Sequence, residues 1–278
     1  MHQFTLKILF DIIGIGSASG LLYRNNYIYL ISDNSDYLYE FSTGTRKLDK
    51  IQLLQSDVLE NIPKRIKPDF EAIAEYNGSV YIFGSGSTVN RNTMVTVDLT
   101  SKKATSITDL TNLYSQLQKI SNIGSEDFNI EGAVFDGKYW IFFQRGNGGT
   151  GKNAVFKVRG QLDGEKFDIE FYDCQLPEIG GVEASFTDAV IVGDKIYILA
   201  TAEDTKSTYD DGDVLGSLIG RLDLQTLQVE FTQIITDKLK LEGLTFYKKK
   251  NGVLSFLLCE DNDTDGLESD LFRLDLKL

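Results

Sequence analysis

Histidine is almost absent from this sequence, and cysteine and proline are scarce. The only histidine is His2, and 2 cysteines and 3 prolines occur among the 278 residues. Because this one histidine stands at the very start of the chain, we expect no Ser-His-Asp triad, no Cys-His pair and no histidine-rich zinc site. Cys174 and Cys259 are far apart and lack the close spacing of metal ligands. We expect two separate buried thiols, and the sequence leaves a disulfide open.

Basic residues and long apolar runs are also in short supply. The chain has 28 Lys and Arg against 41 Asp and Glu, a net charge of -13 and a pI near 4.6. This charge argues against nucleic acid and anionic membranes as partners, and it suits bound cations or simply a solvated acidic surface. No apolar run approaches the ~20 residues of a membrane span, and Lys7 and Asp11 interrupt the first one, unlike in a signal peptide. We expect a soluble monomer, cytoplasmic as written and secreted or periplasmic if a leader was removed.

The sequence does contain a repeated strand-turn-strand phrase. In the stretch 130–143, two apolar runs flank Asp136-Gly137, a dipeptide typical of two-residue hairpin turns. The phrase occurs five times, and its first residues are Ser19, Glu71, Glu131, Thr187 and Glu242, in steps of 52, 60, 56 and 55 residues. A period of this length indicates a β-propeller or a solenoid.

The strand count favours a propeller that closes on itself. Four repeats carry four strand-like segments each, and the last carries three. The N-terminal run 4–15 would supply the missing strand by pairing with 271–274, so that no long sheet edge stays open. One short helix is expected at 110–120. We therefore predict an all-β fold, a five-bladed β-propeller in one domain over residues 1–278.

The five phrase markers predict a ring around the central channel, because each has the same place in its repeat. Carboxylates that converge on one axis repel each other and lose solvation, and a bound cation offsets both effects. Ca²⁺ suits carboxylate and hydroxyl oxygens. Alternatively, each glutamate caps backbone amides or meets a neighbouring Arg or Lys. The predicted metal ligands are Ser19, Glu71, Glu131, Thr187 and Glu242.

A polar loop follows the second strand of every repeat, and these loops are expected near one end of the channel. They are residues 32–36, 84–87, 144–149, 202–205 and 260–263. Ordinary turn chemistry explains much of this composition, but Arg145 and Glu203 have no role in a turn. We predict that Asp33, Arg145 and Glu203 open onto one pocket as candidate catalytic residues.

Five phrases of the sequence match a known pattern: 67–72, 129–133, 143–148, 185–189 and 202–205. They resemble an uncharacterised family of bacterial five-bladed propellers, a domain of unknown function. More distantly, the pattern is similar to calcium-activated nucleotidases of the apyrase type and to phytase-like propellers.

The nucleotidase resemblance implies a calcium ion in the channel, with Ser19, Glu71 and Glu242 at matching points and Thr187 in place of a serine. It also implies a position near substrate phosphates for Asp33 and Arg145. The arginine of the nucleotidases' Asp-Asp-Arg-Thr-Gly phrase is absent from the segment 33–37.

Two functions of different classes follow. The first is a calcium-dependent hydrolase of phosphate esters or anhydrides, in which the ring glutamates hold the metal, Arg145 takes phosphate charge, and Asp33 or Glu203 positions water. The second is a non-catalytic propeller that binds a small polar ligand, sugar or protein. The five polar loops favour the first function, and the lack of histidine favours the second.

Overall fold

Short apolar segments separated by tight turns make most of this chain β-structure. The computed structural model describes residues 2–208, 212–261 and 267–277, so residues 262 and 263 of the fifth predicted polar loop lie outside the described residues. Five four-stranded antiparallel sheets form the five blades of a β-propeller, as predicted. Within these ranges no helix is long and apolar enough to cross a bilayer.

In every blade the first strand borders the channel and the fourth lies on the outside. Blade 1 consists of β2 (Ala18–Arg24), β3 (Tyr27–Ser32), β4 (Tyr37–Ser42) and β5 (Leu48–Gln52). Blade 2 consists of β6 (Phe70–Tyr76), β7 (Ser79–Gly84), β8 (Thr93–Asp98) and β9 (Lys103–Asp109). Blade 3 consists of β10 (Ile130–Phe135), β11 (Trp140–Gln144), β12 (Ala154–Arg159) and β13 (Asp168–Asp173). Blade 4 consists of β16 (Ser185–Val192), β17 (Lys195–Asp204), β18 (Asp213–Asp223) and β19 (Val229–Thr236). Blade 5 consists of β20 (Leu241–Lys250), β21 (Val253–Glu260), β22 (Glu268–Lys277) and β1 (Gln3–Ile13).

The remaining elements are short and join the blades. The helix α1 (Thr111–Ser121) lies between blades 2 and 3 in sequence, where a helix was expected. A 3₁₀ turn (Val89–Arg91) precedes β8, and a small hairpin of β14 (Glu178–Ile179) and β15 (Val182–Glu183) precedes blade 4.

The N-terminal strand closes the propeller. β1 pairs with β22 in antiparallel register from Gln3 opposite Lys277 to Ile13 opposite Glu268. It is the outermost strand of blade 5, since the order in that sheet is β1-β22-β21-β20. The predicted closure is confirmed, and the paired segment is longer than the predicted 271–274.

The inner strands pack side by side and the ring is complete, since β2 contacts both β6 and β20. The core lies between adjacent blades. Between blades 2 and 3, the rings of Phe83 and Phe142 meet edge to face at 5.3 Å, and α1 seats Leu117 and Tyr114 in the same buried cluster. Each blade therefore buries both of its faces, as the apolar strands predict.

One predicted turn is wrong. β10 ends at Phe135 and pairs it with Trp140, so four residues rather than two join the strands. The carboxyl group of Asp136 accepts hydrogen bonds from the backbone N–H groups of Lys138 and Tyr139, which stabilises the longer loop. The blade 1 hairpin does have a two-residue turn, in which Asn25 and Asn26 both take positive φ.

Both cysteines are free and buried, which confirms two separate thiols. Cys259 lies near the channel, where its Sγ would be 2.5 Å from a Cβ added to Gly243. The neighbouring inner strand is equally close there, with Leu21 Cδ2 at 2.5 Å from the same position. The glycine after Glu242 is thus required by the close approach of two inner strands.

All five inner hairpins share a β-bulge at the same position. In each, the register shifts by one residue near the start of the inner strand, so that one residue has no partner on the second strand. A bulge of this kind redirects a side chain out of the regular alternation. The unpaired residues are Ser19, Glu71, Glu131, Thr187 and Glu242.

Candidate functional site

The start of each inner strand and the end of each second strand lie at the same end of the channel, because the two strands are antiparallel. A cavity of about 590 Å³ opens there, and residues from all five blades line it. We call this cavity and its lining the charged mouth. Its carboxylates are Asp33, Asp69, Glu71, Glu131, Glu203, Glu242 and Asp261, and its cations are Lys64, Lys67, Arg91, Arg145 and Lys240.

The structure brings together all six charged residues that the sequence singled out. Asp33, Glu71, Glu131, Arg145, Glu203 and Glu242 line the charged mouth. Ser19 and Thr187 do not line it. The hydroxyl of Ser19 donates to the carbonyl oxygen of Phe70 at 2.5 Å, and that of Thr187 donates to the carbonyl oxygen of Leu241 at 2.8 Å. In this structure these two hydroxyls join neighbouring inner strands.

Arg145 is the central cation of the charged mouth. Its Nη2 lies 2.7 Å from Glu203 Oε2, and its Nη1 lies 3.4 Å from Glu131 Oε1 and 3.3 Å from Glu242 Oε1. The residue is only 4% exposed. Burial acts to lower the pKa of Arg145, but the surrounding glutamates outweigh burial and raise this pKa above its ordinary value. The guanidinium therefore stays charged and neutralises part of a triple carboxylate cluster.

Glu131 is held from the other side by polar residues of its own blade. Asn129 Nδ2 donates to Glu131 Oε1 at 2.7 Å, and the backbone N–H of Asn129 donates to Gln144 Oε1 at 2.8 Å. Burial raises the pKa of Glu131, and the charge of Arg145 opposes that shift. The second oxygen of this carboxylate, Oε2, has no hydrogen-bond partner.

A second cluster surrounds Lys67, which is 7% exposed. Its ammonium contacts Asp33 Oδ2 and lies 2.7 Å from Asp69 Oδ1. The other oxygen of Asp69 accepts from Arg91 Nη1 at 2.8 Å and from the hydroxyl of Ser85 at 2.5 Å. Burial acts to raise the pKa of Asp69, but Lys67 and Arg91 together hold it below its usual range. Asp69 has a left-handed backbone with φ of 54°, unusual for a residue with a side chain.

Lys240 forms a third ion-pair cluster on the blade 5 side. Its Nζ lies 2.9 Å from Asp261 Oδ2 and 3.5 Å from Glu242 Oε1. The backbone N–H of Asp261 also donates to the carbonyl oxygen of Lys240. Glu242 is thus shared between Lys240 and Arg145.

Glu71 differs from the other carboxylates of the mouth. It is 8% exposed, and within the described ranges its side chain makes no hydrogen bond and no ion pair. Burial, with the negative charges of Glu131, Asp69, Asp33 and Glu242, raises the pKa of Glu71 well above its ordinary value. This carboxyl group therefore favours its protonated form over a wider pH range than a solvated glutamate.

Several buried polar atoms of the mouth have no partner. In the described part of the chain, six buried side-chain polar atoms lack a hydrogen bond, and four of them belong to residues of the mouth. Such atoms are uncommon in proteins and call for an explanation, such as an absent water, ion or ligand. They are Asp33 Oδ1, Glu131 Oε2, Arg145 Nε and Asn147 Oδ1.

Sequence reasoning missed five charged groups of the mouth, Lys64, Lys67, Asp69, Arg91 and Lys240. A signal existed for two of them, since Asp69 and Lys240 each stand two residues before a phrase marker, as Asn129 does. Arg91 ends the 3₁₀ turn in the loop between β7 and β8, outside the repeated phrase, so no repeat position points to it.

These features define a class of protein: a five-bladed β-propeller with a buried network of ion pairs at one end of its channel. The chain belongs to a family of unknown function, DUF6929, whose model matches residues 14–276. No curated protein matches the chain.

Solved structures share the propeller fold at low sequence identity. The chain is similar to a Myxococcus xanthus glutaminyl cyclase, with a TM-score of 0.55, 10% identity and coverage of 98% of this chain and 97% of that one. It is also similar to the PQQ-bound aldose sugar dehydrogenase of Streptomyces coelicolor, with a TM-score of 0.53, 11% identity and coverage of 99% of each chain. GH43B of the Bacteroides ovatus xyloglucan PUL has a TM-score of 0.53 at 12% identity, over 98% of this chain and 54% of that one. At such identities the likeness concerns the fold alone.

Proposed function

We propose that the charged mouth binds a small polar ligand. The observation that supports this most is the group of buried polar atoms without partners in the lining, on Asp33, Glu131, Arg145 and Asn147. An unpaired buried donor or acceptor costs about 1–3 kcal/mol, which a ligand that pairs with it recovers.

The size and chemistry of the cavity limit the ligand class. At about 590 Å³ the cavity falls in the usual range for small-molecule sites. Most such sites are apolar, whereas this lining carries seven carboxylates and five cations. A sugar, a polyol, an amino compound or a phosphorylated metabolite matches this lining, and an apolar ligand does not.

A thermal-shift screen tests this proposal. Purified protein in EDTA is heated with sugars, polyols, amino acids, nucleotides and sugar phosphates, each at millimolar concentration. A ligand at 100 times its dissociation constant stabilises the folded state by about 2.7 kcal/mol, so a true ligand raises the Tm measurably. Glu131→Gln should weaken the response, and Glu170→Gln, on the exposed outer strand of blade 3, is the matched control. Equal responses of the two variants, or no response to any compound, would contradict the proposal.

Calcium-dependent hydrolysis of phosphate esters or anhydrides is a second candidate. It is favoured by the cations that stand beside carboxylates in one cavity, because phosphoryl transfer needs positive charge around the phosphate. Arg145 would bind phosphate by exchanging its longer contacts, those to Glu131 and Glu242. Glu203 or Asp33 would position the attacking water, since the mouth has no histidine.

Activity assays separate the two functions. Phosphate release is measured with nucleotides, sugar phosphates and phytate as substrates, in calcium and in EDTA. Release that requires calcium and is lost in Arg145→Lys supports hydrolysis. Binding of a compound without turnover under either condition supports the non-catalytic function.

A further inference from the structure

Three carboxylates of the charged mouth lie close enough to share one metal ion. One oxygen each from Asp33, Asp69 and Glu71 lie within 4.8 Å of one another. Calcium binds carboxylate oxygens at about 2.3–2.6 Å, so two oxygens on opposite sides of one ion are about 5 Å apart. The trio therefore fits a calcium ion without a change in the backbone.

Carboxylate oxygens of the trio also lack partners, as Oε2 of Glu131 does. Glu71 is more than nine-tenths buried and makes no hydrogen bond or ion pair within the described residues. Asp33 Oδ1 is buried and unpartnered as well. By contrast, Glu131 and Glu242 of the predicted ring lie against Arg145, and Ser19 and Thr187 donate to backbone carbonyls. In this structure the ring residues thus do not form an oxygen cage, although Glu71 is common to the ring and the trio.

The balance of charges also favours a cation at the trio. Within the described ranges, Lys67 and Arg91 are the cations in contact with the trio, so three carboxylates face two positive charges. Among the described residues of the mouth, seven carboxylates face five cations, a difference of two negative charges. One divalent cation would neutralise that difference.

We propose that Asp33, Asp69 and Glu71 bind one Ca²⁺ ion, and that the ammonium of Lys67 gives up its contact with Asp33 when the ion enters. In the metal-free protein Lys67 is the cation that competes for the same oxygens. Arg91 and Ser85 keep hold of the other oxygen of Asp69 and so orient that carboxylate toward the ion. The site needs no organic ligand. It would supply the metal for the second candidate function.

Calorimetric titration of the EDTA-treated full chain with CaCl₂ tests the site directly. Wild-type protein should bind one Ca²⁺. Asp33→Asn and Glu71→Gln should each weaken binding by about tenfold or more, because each removes a charged ligand oxygen. Mg²⁺ should bind more weakly, since it demands shorter, near-octahedral contacts. Asp98→Asn, at the end of β8 where its carboxyl caps a surface turn, is the matched control and should bind like wild type.

Lys67→Met should change calcium affinity in the direction opposite to Asp33→Asn and Glu71→Gln. Removing the competing ammonium should tighten calcium binding, even though the metal-free variant is less stable. This variant decides the matter if Asp33→Asn fails to fold.

Three outcomes would overturn the site: no calcium binding by wild type, weaker binding by Lys67→Met, or loss of binding in Glu242→Gln with retention in Asp33→Asn. The last outcome would place the ion in the ring instead. Because these titrations use the metal alone, their failure leaves the ligand screen in EDTA unaffected.

Discussion

Removal of the Arg145 side chain is the most direct test of the ion-pair network in the charged mouth. This guanidinium contacts Glu203, Glu131 and Glu242, and all four side chains are at most 5% exposed. Breaking a buried ion pair by deleting one partner costs about 3–5 kcal/mol, because the other charge is left buried and uncompensated. Three carboxylates lose a partner here, so we expect Arg145→Met to lie at the upper end of that range. Against a typical total stability of about 5–15 kcal/mol, this loss is large.

The loss should depend on pH with a definite sign. Burial already raises the pKa values of Glu131 and Glu242, and the charge of Arg145 opposes that shift. Without Arg145 these two folded-state pKa values rise further above the unfolded value, so the folded protein binds protons that the unfolded chain has released. Stability of the variant therefore falls as the pH rises through that window. The difference between variant and wild type should be greatest near pH 7 and should shrink below the unfolded pKa of about 4.3, where both states carry neutral carboxyls.

Urea unfolding followed by circular dichroism at pH 7 and pH 4 measures both effects. Arg221→Met is the control, because Arg221 pairs with Glu230 on the outer part of blade 4 with both side chains partly exposed. Pairs of that kind contribute about 0–1 kcal/mol. The reasoning fails if Arg145→Met is no less stable than Arg221→Met, or if its deficit grows on acidification.

Three further predictions concern other parts of the propeller. Ser19→Ala should lower the free energy of unfolding by about 1 kcal/mol in urea titrations, because it removes the buried bond to the carbonyl of Phe70. In EDTA, wild-type stability should fall as the pH rises from about 4.5 through the raised pKa of Glu71, and Glu71→Gln should flatten that fall in a series of melting curves, because glutamine does not ionise. Deletion of residues 2–13 should expose the edge of β22 and cause aggregation, detectable by light scattering, whereas an elution volume on size exclusion like that of wild type would argue against a closing role for β1.

The architecture could be predicted from the sequence, because the repeat is recognisable in the sequence itself. A phrase that recurs every 52 to 60 residues, with an unpartnered strand at the N-terminus, leaves few alternatives to a closed propeller. The phase of the repeat also predicts a ring that contains three glutamates around the channel and three charged loop residues near one of its ends, and all six charged side chains line the charged mouth. In a symmetric propeller, residues at the same position of each repeat lie at equivalent positions around the axis. This prediction therefore requires no knowledge of side-chain contacts.

The partners of these side chains could not be predicted, because they depend on contacts between blades. Arg145 of blade 3 reaches Glu203 of blade 4 and Glu242 of blade 5, and no local pattern specifies those distances. Lys67 and Arg91 converge on Asp69 from irregular segments outside the strands. The turn at 136–139 was mispredicted for a related reason: the side chain of Asp136 stabilises a longer loop that the dipeptide alone does not reveal.

Blade 4 shows that equivalent backbone positions of the repeat can either join two blades or place a charged side chain in the mouth. The bulged residue of blade 4 is Thr187, which bonds to the carbonyl of Leu241, and the next residue, Asp188, accepts the N–H of Leu244 at 2.6 Å. The bulge of blade 4 therefore binds blade 5 through Thr187 and Asp188, and it places no charged side chain in the mouth. Its second strand, β17, instead continues to Asp204, and this extension carries Glu203 to Arg145. The repeat determines the backbone position of each residue. The length of the side chain and of its strand then determines whether the side chain joins two blades or enters the site.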